Sequence, residues 1–562
     1  MSSISNDELK AIKTAVSRIA KKYRVAGVCL YGSRIAGYSR ADSDFDVIIV
    51  LNDYPYAVKY IYTAEADMKI SALVVDRATL EKDAASAFLG EFVVGRLLHI
   101  YEPIQNNDLF ERIEIVYKKR VILDEIYNIV KSANVLSTQI IFPLEYIMFS
   151  KVRYRSILYP NAAYSYYQTY TGKNSHHNIE FALNGYQRAL KEILADDKEL
   201  LIIGSSGRSI QISERRVDVH RNHKVAYLKL TKKLQEFSSY FIHAYAGRHT
   251  LRHVVREAES KISRHKTSRV MLPNFISSPK DLYWRLPEGL IVIDDKDWLD
   301  KVAKLNGLSR YVISKKDSLG IRNGATTLYV LEDPDNQNVT KSLVVKEMTR
   351  SNRARWTSFR KLSSTIDRPK VDSLFRLGNE YRALRYIRSV GLNTPIIQSV
   401  VLAKRILVTE FLEGKLISDI LKECLDRNNI DVDLKWITII GQHIARVHAY
   451  KCTLGHIKPS NLIVYKNRLY FTGIEEFGFN SGDPLLDIVL FMSHALAKTT
   501  NTFLAKRISE EFFEGYSKEM PAEYLKKVVK SGYYYYYADA LYTMLNPSVA
   551  ETIKKEITKF VN

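Results

Sequence analysis

The chain has 562 residues, 83 Lys and Arg against 62 Asp and Glu, and a formal charge of +21. That length predicts about three domains, and 46% hydrophobic residues supply cores for each, which excludes a disordered chain. A field of that sign favours polyanions such as RNA, DNA or ribonucleoprotein, and the absence of any run of 18 apolar residues argues against a membrane span.

The N-terminal stretch MSSISNDELKAIK is polar and does not read as a signal peptide. Cys29, Cys424 and Cys452 stand far apart and form neither a disulfide framework nor a zinc site, so a reducing, cytoplasmic setting is expected. Asn6 or Asp7 can cap a helix running to about Tyr23, with Leu9, Ile12, Val16, Ile19 and Ala20 on its apolar face. GVCLYGS then reads as a buried strand breaking into a Gly-Ser turn, and FDVIIVL as a second strand. Side chains alternate along a strand, so Asp44 and Asp46 share a face. Two such carboxylates repel unless a cation lies between them, and Mg²⁺ is held by one or two carboxylates plus substrate phosphates. The Gly32-Ser33 turn offers N–H groups and a hydroxyl for those phosphates. A helical stretch is expected after Leu51, then MKISALVV as a third strand, with the first domain closing near Glu102-Pro103 and covering 1–105.

Gly32-Ser33, Gly37 and Ser43-Asp44-Phe45-Asp46 resemble the GSRxxG and SDxD signature of polymerase-β-like nucleotidyltransferases, most closely their minimal branch. The resemblance implies transfer of a nucleotidyl group from an NTP, ATP favoured, to a hydroxyl with release of pyrophosphate. It also implies that Asp44 and Asp46 are the catalytic and metal carboxylates, and that Gly32 and Ser33 bind the triphosphate. Such enzymes carry a third carboxylate on a neighbouring strand. Here Ser71 takes that position, with Asp67 at the strand's entrance and Asp76 at its exit.

Residues 106–275 read as a mostly helical, basic middle domain. HNIEFALNGYQRALKEILADD predicts an amphipathic helix and ELLIIGSSGRSIQIS a hairpin, a pairing found in winged-helix elements. Gly204-Ser205 is followed by no paired aspartates. Arg248, Arg252 and Arg256 recur every four residues on one helix face and are candidates for tracking RNA phosphates. Residues 276–309 read as a linker, and 310–562 as the last domain.

In that domain LVVKEM places Lys346 in a strand and GNEYRALRYIRSVGLNTP places Glu380 in a helix. Between them TRSNRARWTSFRK sets Arg353, Arg355, Arg360 and Lys361 around Trp356 and Phe359, the mixture of cations and rings that single-strand binders use. GHIKPSNLIV, with Lys458 and Asn461, and GDPLLDIVLF, with Asp487, follow in order. This order resembles the RIO and related atypical kinases, especially the small kinases of the threonylcarbamoyl-adenosine tRNA modification complex. A strand lysine paired with a helical glutamate holds nucleotide phosphates in such folds, so Lys346, Glu380 and Asn461 become nucleotide-binding candidates. His456 stands where the catalytic aspartate belongs, and Gly473 (or Glu476 in a shifted register) where the metal aspartate belongs, which implies a pseudokinase.

The expected whole is a multidomain α+β protein: a nucleotidyltransferase fold, a helical middle domain and a protein-kinase-like fold. Its expected partners are RNA, either tRNA or rRNA, or ribonucleoprotein, with a protein acceptor also open and no membrane. The rival expectation is a catalytically inactive RNA- or ribosome-binding scaffold.

Overall fold

The computed structural model describes residues 4–159, 162–204, 207, 209–214, 272–294, 296–319, 326–336, 338–348, 372–427, 434–455, 457–497, 499–521, 523, 526 and 545–561. The chain is a multidomain α+β protein, about half helical with several sheets, and divides into two compact units. One unit is Met1–Ser132 with Ile140–Arg285; the other is Ala133–Gln139 with Leu286–Asn562.

The first unit begins with α1 (Asn6–Ala20). Its cap is Ser5, one residue before the expected ones, because Glu8 lies three positions on. The Ser5 hydroxyl accepts from the Glu8 N–H at 3.2 Å, and the Glu8 carboxylate accepts from the Ser5 N–H at 2.8 Å. Five strands follow: β1 (Val25–Tyr31), β2 (Phe45–Leu51), β3 (Val58–Glu65), β4 (Met68–Asp76) and β5 (Glu102–Gln105), in the sheet order β3-β4-β2-β1-β5. β2 and β4 run parallel; the other neighbours are antiparallel. One face buries Val28, Leu30, Val47, Ile49, Ala72 and Val74 against Ile12, Ala15, Val16 and Ala20 of α1. At about 1.5–3 kcal/mol per buried large aliphatic side chain, this face anchors the sheet; the opposite face is buried too at Cys29, Ile48 and Leu73 and carries polar groups at the Asp46 end.

β3 corrects the expectation of a helix after Leu51. VKYIYTAE is rich in β-branched and aromatic residues, and Ala66 and Asp67 both adopt positive φ, 47° and 63°, so Glu65 pairs with Met68 across a two-residue turn. Asn-Gly, the usual sign of such a turn, is absent.

α2 (Ser33–Ala36) is inserted between β1 and β2 and α3 (Arg77–Ser86) between β4 and β5, and after the sheet come the longer helices α4 (Asn107–Ala133), α5 (Leu144–Leu158), α6 (Ala163–Thr171) and α7 (Ser175–Asp196). β6 (Ile141–Pro143), β7 (Leu201–Ile203) and β8 (Ser209–Ile212) form a small sheet in the order β6-β8-β7, which contains the expected hairpin.

The second unit holds a six-stranded sheet in the order β10-β11-β12-β14-β13-β9. Its strands are β9 (Leu290–Val292), β10 (Val312–Ser318), β11 (Thr326–Glu332), β12 (Thr340–Glu347), β13 (Ile397–Val401) and β14 (Ile406–Glu410). β9 and α8 (Trp298–Leu305) come from the segment expected as linker; β9 pairs parallel to β13, and Val302 and Ala303 join the core of this sheet. α9 (Ser373–Ser389) precedes β13. Beyond β14 lie the small sheet β15 (Lys415–Leu416), β16 (Leu462–Tyr465) and β17 (Arg468–Phe471), and helices α10 (Ile417–Arg427), α11 (Lys435–Ala449), α12 (Pro484–Leu496), α13 (Thr502–Ser517) and α14 (Pro547–Val561).

Candidate functional site

Four side chains form a row across one face of the first sheet. Tyr31 on β1 pairs with Asp46 on β2, Asp46 with Ser71 on β4, and Ser71 with Tyr62 on β3. Direct partners in adjacent strands share a face, so Asp46 sits between a phenol and a buried hydroxyl. Asp44 lies two residues earlier, just outside β2, and both carboxylates are half-buried.

The Gly32-Ser33 turn closes directly onto Asp46. Gly32 has φ +84°, and a Cβ there would lie 2.1 Å from an Asp46 carboxylate oxygen, so only glycine fits. Arg34 fastens the turn to the acidic segment: its Nε and one terminal nitrogen donate to the Ser43 carbonyl at 3.0 and 2.7 Å, and its guanidinium lies 4.1 Å from the Phe45 ring centroid. From below, the Asn178 amide donates to the carbonyls of Ala36 and Thr169, both at 3.0 Å. Burial, then Tyr60 and Asp46, pushes the Tyr31 phenol well above its ordinary range.

Ser71 is buried at the register directly beside Asp46, the position expected to correspond to a third carboxylate. Asp76 cannot replace it. It stands at the other end of β4, opposite Leu51, and its carboxylate caps α3 through Thr79 and accepts from the Tyr54 N–H at 3.2 Å. Asp67 is in the β3–β4 turn. Among the described residues no three His, Cys, Asp or Glu side chains cluster as a metal cage. Two carboxylates, a hydroxyl and a Gly-Ser turn still suit a hard cation that takes most of its shell from substrate and water.

In the second unit, Lys346 on β12 meets Glu380 on α9 at 2.7 Å, with Glu380 almost fully buried. Glu475 joins them. One of its oxygens is 3.6 Å from Lys346, and the other accepts from Arg376 at 2.6 Å. Two cations thus face two carboxylates. Burial opposes the lysine's charge, but the carboxylates outweigh it and hold Lys346 above the usual lysine range. Glu475 is likewise held below the usual carboxylate range, Lys346 and Arg376 outweighing burial.

Asn461 donates to the Gly473 carbonyl at 2.8 Å, and its own carbonyl accepts from the Thr472 N–H at 2.8 Å. Gly473 has φ +63°, and a Cβ there would lie 2.2 Å from the Asn461 amide nitrogen, so an aspartate at this position would be strained and would displace the Asn461 side chain. Asp487 on α12 accepts from the Leu454 N–H at 2.6 Å and contacts His448 at 3.0 Å, tying the loop before Lys458 to two helices. Burial, then Glu475, raises the Glu476 carboxyl to about 7.

Sequence reasoning missed Arg34, Arg376 and the pairing of Glu475 with Lys346. Arg376 lies four residues before Glu380, a helical spacing that places both on one face of α9 and was available as a signal. Arg248, Arg252, Arg256, Arg353, Arg355, Trp356, Arg360, Lys361 and His456 lie outside the described residues.

Comparison with known proteins gives three likenesses. A family described as "Nucleotidyltransferase domain" matches residues 9–126. A probable bifunctional tRNA threonylcarbamoyladenosine biosynthesis protein from Methanococcus vannielii is 22% identical over 268 residues, 47% of this chain and 42% of that protein. The KEOPS complex subunit Bud32 of Pyrococcus abyssi is 27% identical over 154 residues, 26% of this chain and 67% of that protein. The chain therefore spans less than half the length of the first relative. The two relatives support a kinase-like region, and the match over 9–126 coincides with the strand row and its turn: the chain carries a nucleotidyltransferase domain at its N-terminus.

Proposed function

We propose that this domain moves a nucleotidyl group from an NTP, ATP favoured, to a hydroxyl acceptor in a Mg²⁺-dependent reaction. The observation that carries the reading is the closure of the Gly32-Ser33 turn onto Asp46 within the Tyr31–Asp46–Ser71–Tyr62 row. Asp44 and Asp46 would hold the cation, which when bound supplies charge stabilisation at the phosphoryl group. The turn's N–H groups and the Ser33 hydroxyl grip the triphosphate. The acceptor oxygen bonds to the α-phosphorus, the bond to the β-phosphate bridge breaks, and pyrophosphate leaves. Ser71 cannot take the acceptor's proton, which leaves Asp46 or solvent as its destination.

RNA is the favoured acceptor because of the +21 charge and because the relatives' names concern tRNA modification and the KEOPS complex. An RNA-associated protein is the second choice. The arginines at 248, 252, 256, 353, 355 and 360, with Lys361 and Trp356, would supply the electrostatic footprint. RNA affinity should then fall with salt by a log–log slope of about 0.7–0.9 per phosphate contact.

Incubation with each α-labelled NTP and total RNA or lysate tests the reaction. Label on RNA from wild type, and none from Asp44→Ala/Asp46→Ala, supports it; equal signals from the two overturn it.

We read the second unit as a kinase-like, nucleotide-binding domain that transfers no phosphoryl group. Lys346, Glu380 and Asn461 retain the nucleotide-holding types, while Gly473 supplies no metal carboxylate. Label from γ-labelled ATP on protein or RNA, dependent on Lys346, would overturn this.

Ser71 and Gly473 also favour a second reading, a catalytically inactive RNA- or ribosome-binding scaffold. It requires RNA association indifferent to Asp46→Asn, and no transfer from any NTP.

A further inference from the structure

Arg96 lies in the short 3₁₀ segment Val94–Leu98 of the first unit, which carries no motif. Its guanidinium donates to the Tyr60 hydroxyl at 3.1 Å and to the Phe92 carbonyl, and its carbon lies 5.9 Å from the Tyr31 ring centroid and 4.6 Å from that of Phe92. The residue is only partly exposed, yet no carboxylate among the described residues pairs with it. Nor does the neighbourhood compensate. Arg120, Lys151 and Arg155 converge on the buried carboxylate of Glu91, and among the described residues only Arg120 has a further carboxylate partner, Asp124 at 3.4 Å. The same positive field acts on His99: after burial, Arg155, Lys118 and Arg96 hold its imidazole well below the ordinary histidine range, and its Nε2 is buried without a partner. A desolvated cation with only neutral partners is costly unless an anion completes it.

The position of Arg96 indicates which anion. Tyr31 pairs with Asp46 on β2, and Tyr60 pairs with Leu73 on β4, on the face that also carries Ser71. Arg96 thus touches β1 on one side of the Asp46–Ser71 pair and β3 on the other. The triphosphate-binding turn follows β1. The β3 side holds Tyr60 and Tyr62, whose rings are parallel with centroids 6.0 Å apart, and Tyr62 is 49% exposed. A planar guanidinium is suited to forked contact with phosphate, and an exposed tyrosine offers a stacking face to a base.

We propose that Arg96 clamps the acceptor: it binds a phosphate next to the accepting hydroxyl, and so selects a phosphate-bearing nucleotide acceptor, the end of an RNA chain, over alcohols that lack phosphate. The proposal rests on the transfer reading above. Tyr60 positions the guanidinium, and Tyr62 receives the terminal base.

Steady-state transfer from α-labelled ATP to adenosine, AMP, the dinucleotide ApA and a serine- and tyrosine-containing peptide tests it. The expected result is kcat/KM for ApA and AMP at least tenfold above adenosine, with ApA ahead of AMP if the acceptor is a chain end. Arg96→Gln should erase this preference through the acceptor KM, leaving the ATP KM unchanged. Arg96→Lys and Tyr60→Phe should give intermediate losses, and they carry the test if Arg96→Gln fails to fold. A raised ATP KM in these variants, or adenosine or peptide serving as well as ApA, overturns the assignment.

The melting-temperature rise caused by inorganic phosphate at constant ionic strength separates this proposal from the transfer reading. A rise that shrinks in Arg96→Gln, without transfer to any acceptor, leaves the anion site standing and sinks the transfer reading. An equal rise in both proteins overturns the anion site whatever the activity.

Discussion

Asp46 on β2 and Ser71 on β4 are direct partners in a parallel pairing, so a candidate catalytic carboxylate has a buried hydroxyl beside it where a second acid would complete a cation site. Ser71→Asp should therefore lower the Mg²⁺ concentration that half-saturates transfer by about tenfold, since added ligand charge tightens binding of a hard cation. Titrating activity against Mg²⁺ in both proteins checks this. An unchanged midpoint would mean that the hydroxyl is not at the metal.

Gly32→Ala should lose transfer and stability together. The new methyl would meet the Asp46 carboxylate, and the backbone would stay at φ +84°. Strain of this kind costs about 1–3 kcal/mol. Chemical denaturation gives the stability loss, and α-label transfer gives the activity. Full activity with a destabilised fold would separate the turn from the reaction.

Removing Lys346 leaves Glu380 and Glu475 without their shared cation. Breaking a buried pair on one side costs about 3–5 kcal/mol, so Lys346→Ala should melt early. Lys346→Met with Glu380→Leu should recover much of that loss, because both partners become apolar. ATP should raise the melting temperature of wild type and of neither variant. A thermal shift surviving in the double variant would place the nucleotide elsewhere.

Glu476 makes the second unit sensitive to pH. Its carboxyl is raised to about 7 in the fold, by burial first and Glu475 second, from an ordinary 4.5. A raised folded value means that the native state holds this proton more tightly. The resulting stability is complete below about 4.5 and is lost as pH climbs through about 7. The loss should reach about 3 kcal/mol, and Glu476→Gln should flatten it. Urea midpoints at about pH 5 and pH 7.5 check this; parallel losses in the two proteins would assign the pH response to another group.

Much of the N-terminal site was legible because its signals are local. The strand FDVIIVL sets Asp46 on the sheet, with Asp44 two residues ahead of it in sequence, and Gly32-Ser33 marks the turn that precedes them. Ser71 was legible by position along its own strand. β3 was not, because a two-residue turn at Ala66-Asp67 lacks glycine and asparagine. Arg96 carries no pattern either: it belongs to a one-turn segment, and its partners Tyr31 and Tyr60 are 65 and 36 positions away in the sequence. In the second unit, strand and helix identities reveal Lys346 and Glu380 as candidates, but their meeting with Glu475 depends on packing between residues about a hundred positions apart. The second acid beside the lysine, Glu475, was therefore placed by the fold rather than by a motif.

The segment Asn134–Gln139 has a consequence for how the protein is made. It belongs to the second unit, although residues on both sides of it belong to the first. Asn134 donates to Asp372 at 2.7 Å across 238 positions, and Gln139 accepts from Arg385 across 246. The Leu136 backbone packs so closely on Gly378 that a Cβ there would lie 2.4 Å from the Leu136 nitrogen. On a ribosome adding about 5–20 residues per second, these few residues wait roughly 10–50 seconds for their partners to emerge. The first unit can be complete while this loop still lacks its destination, a window in which a chaperone or a neighbouring nascent chain can capture it. No single cut yields both halves intact: a fragment starting at Leu286 lacks the six residues on which α9 closes.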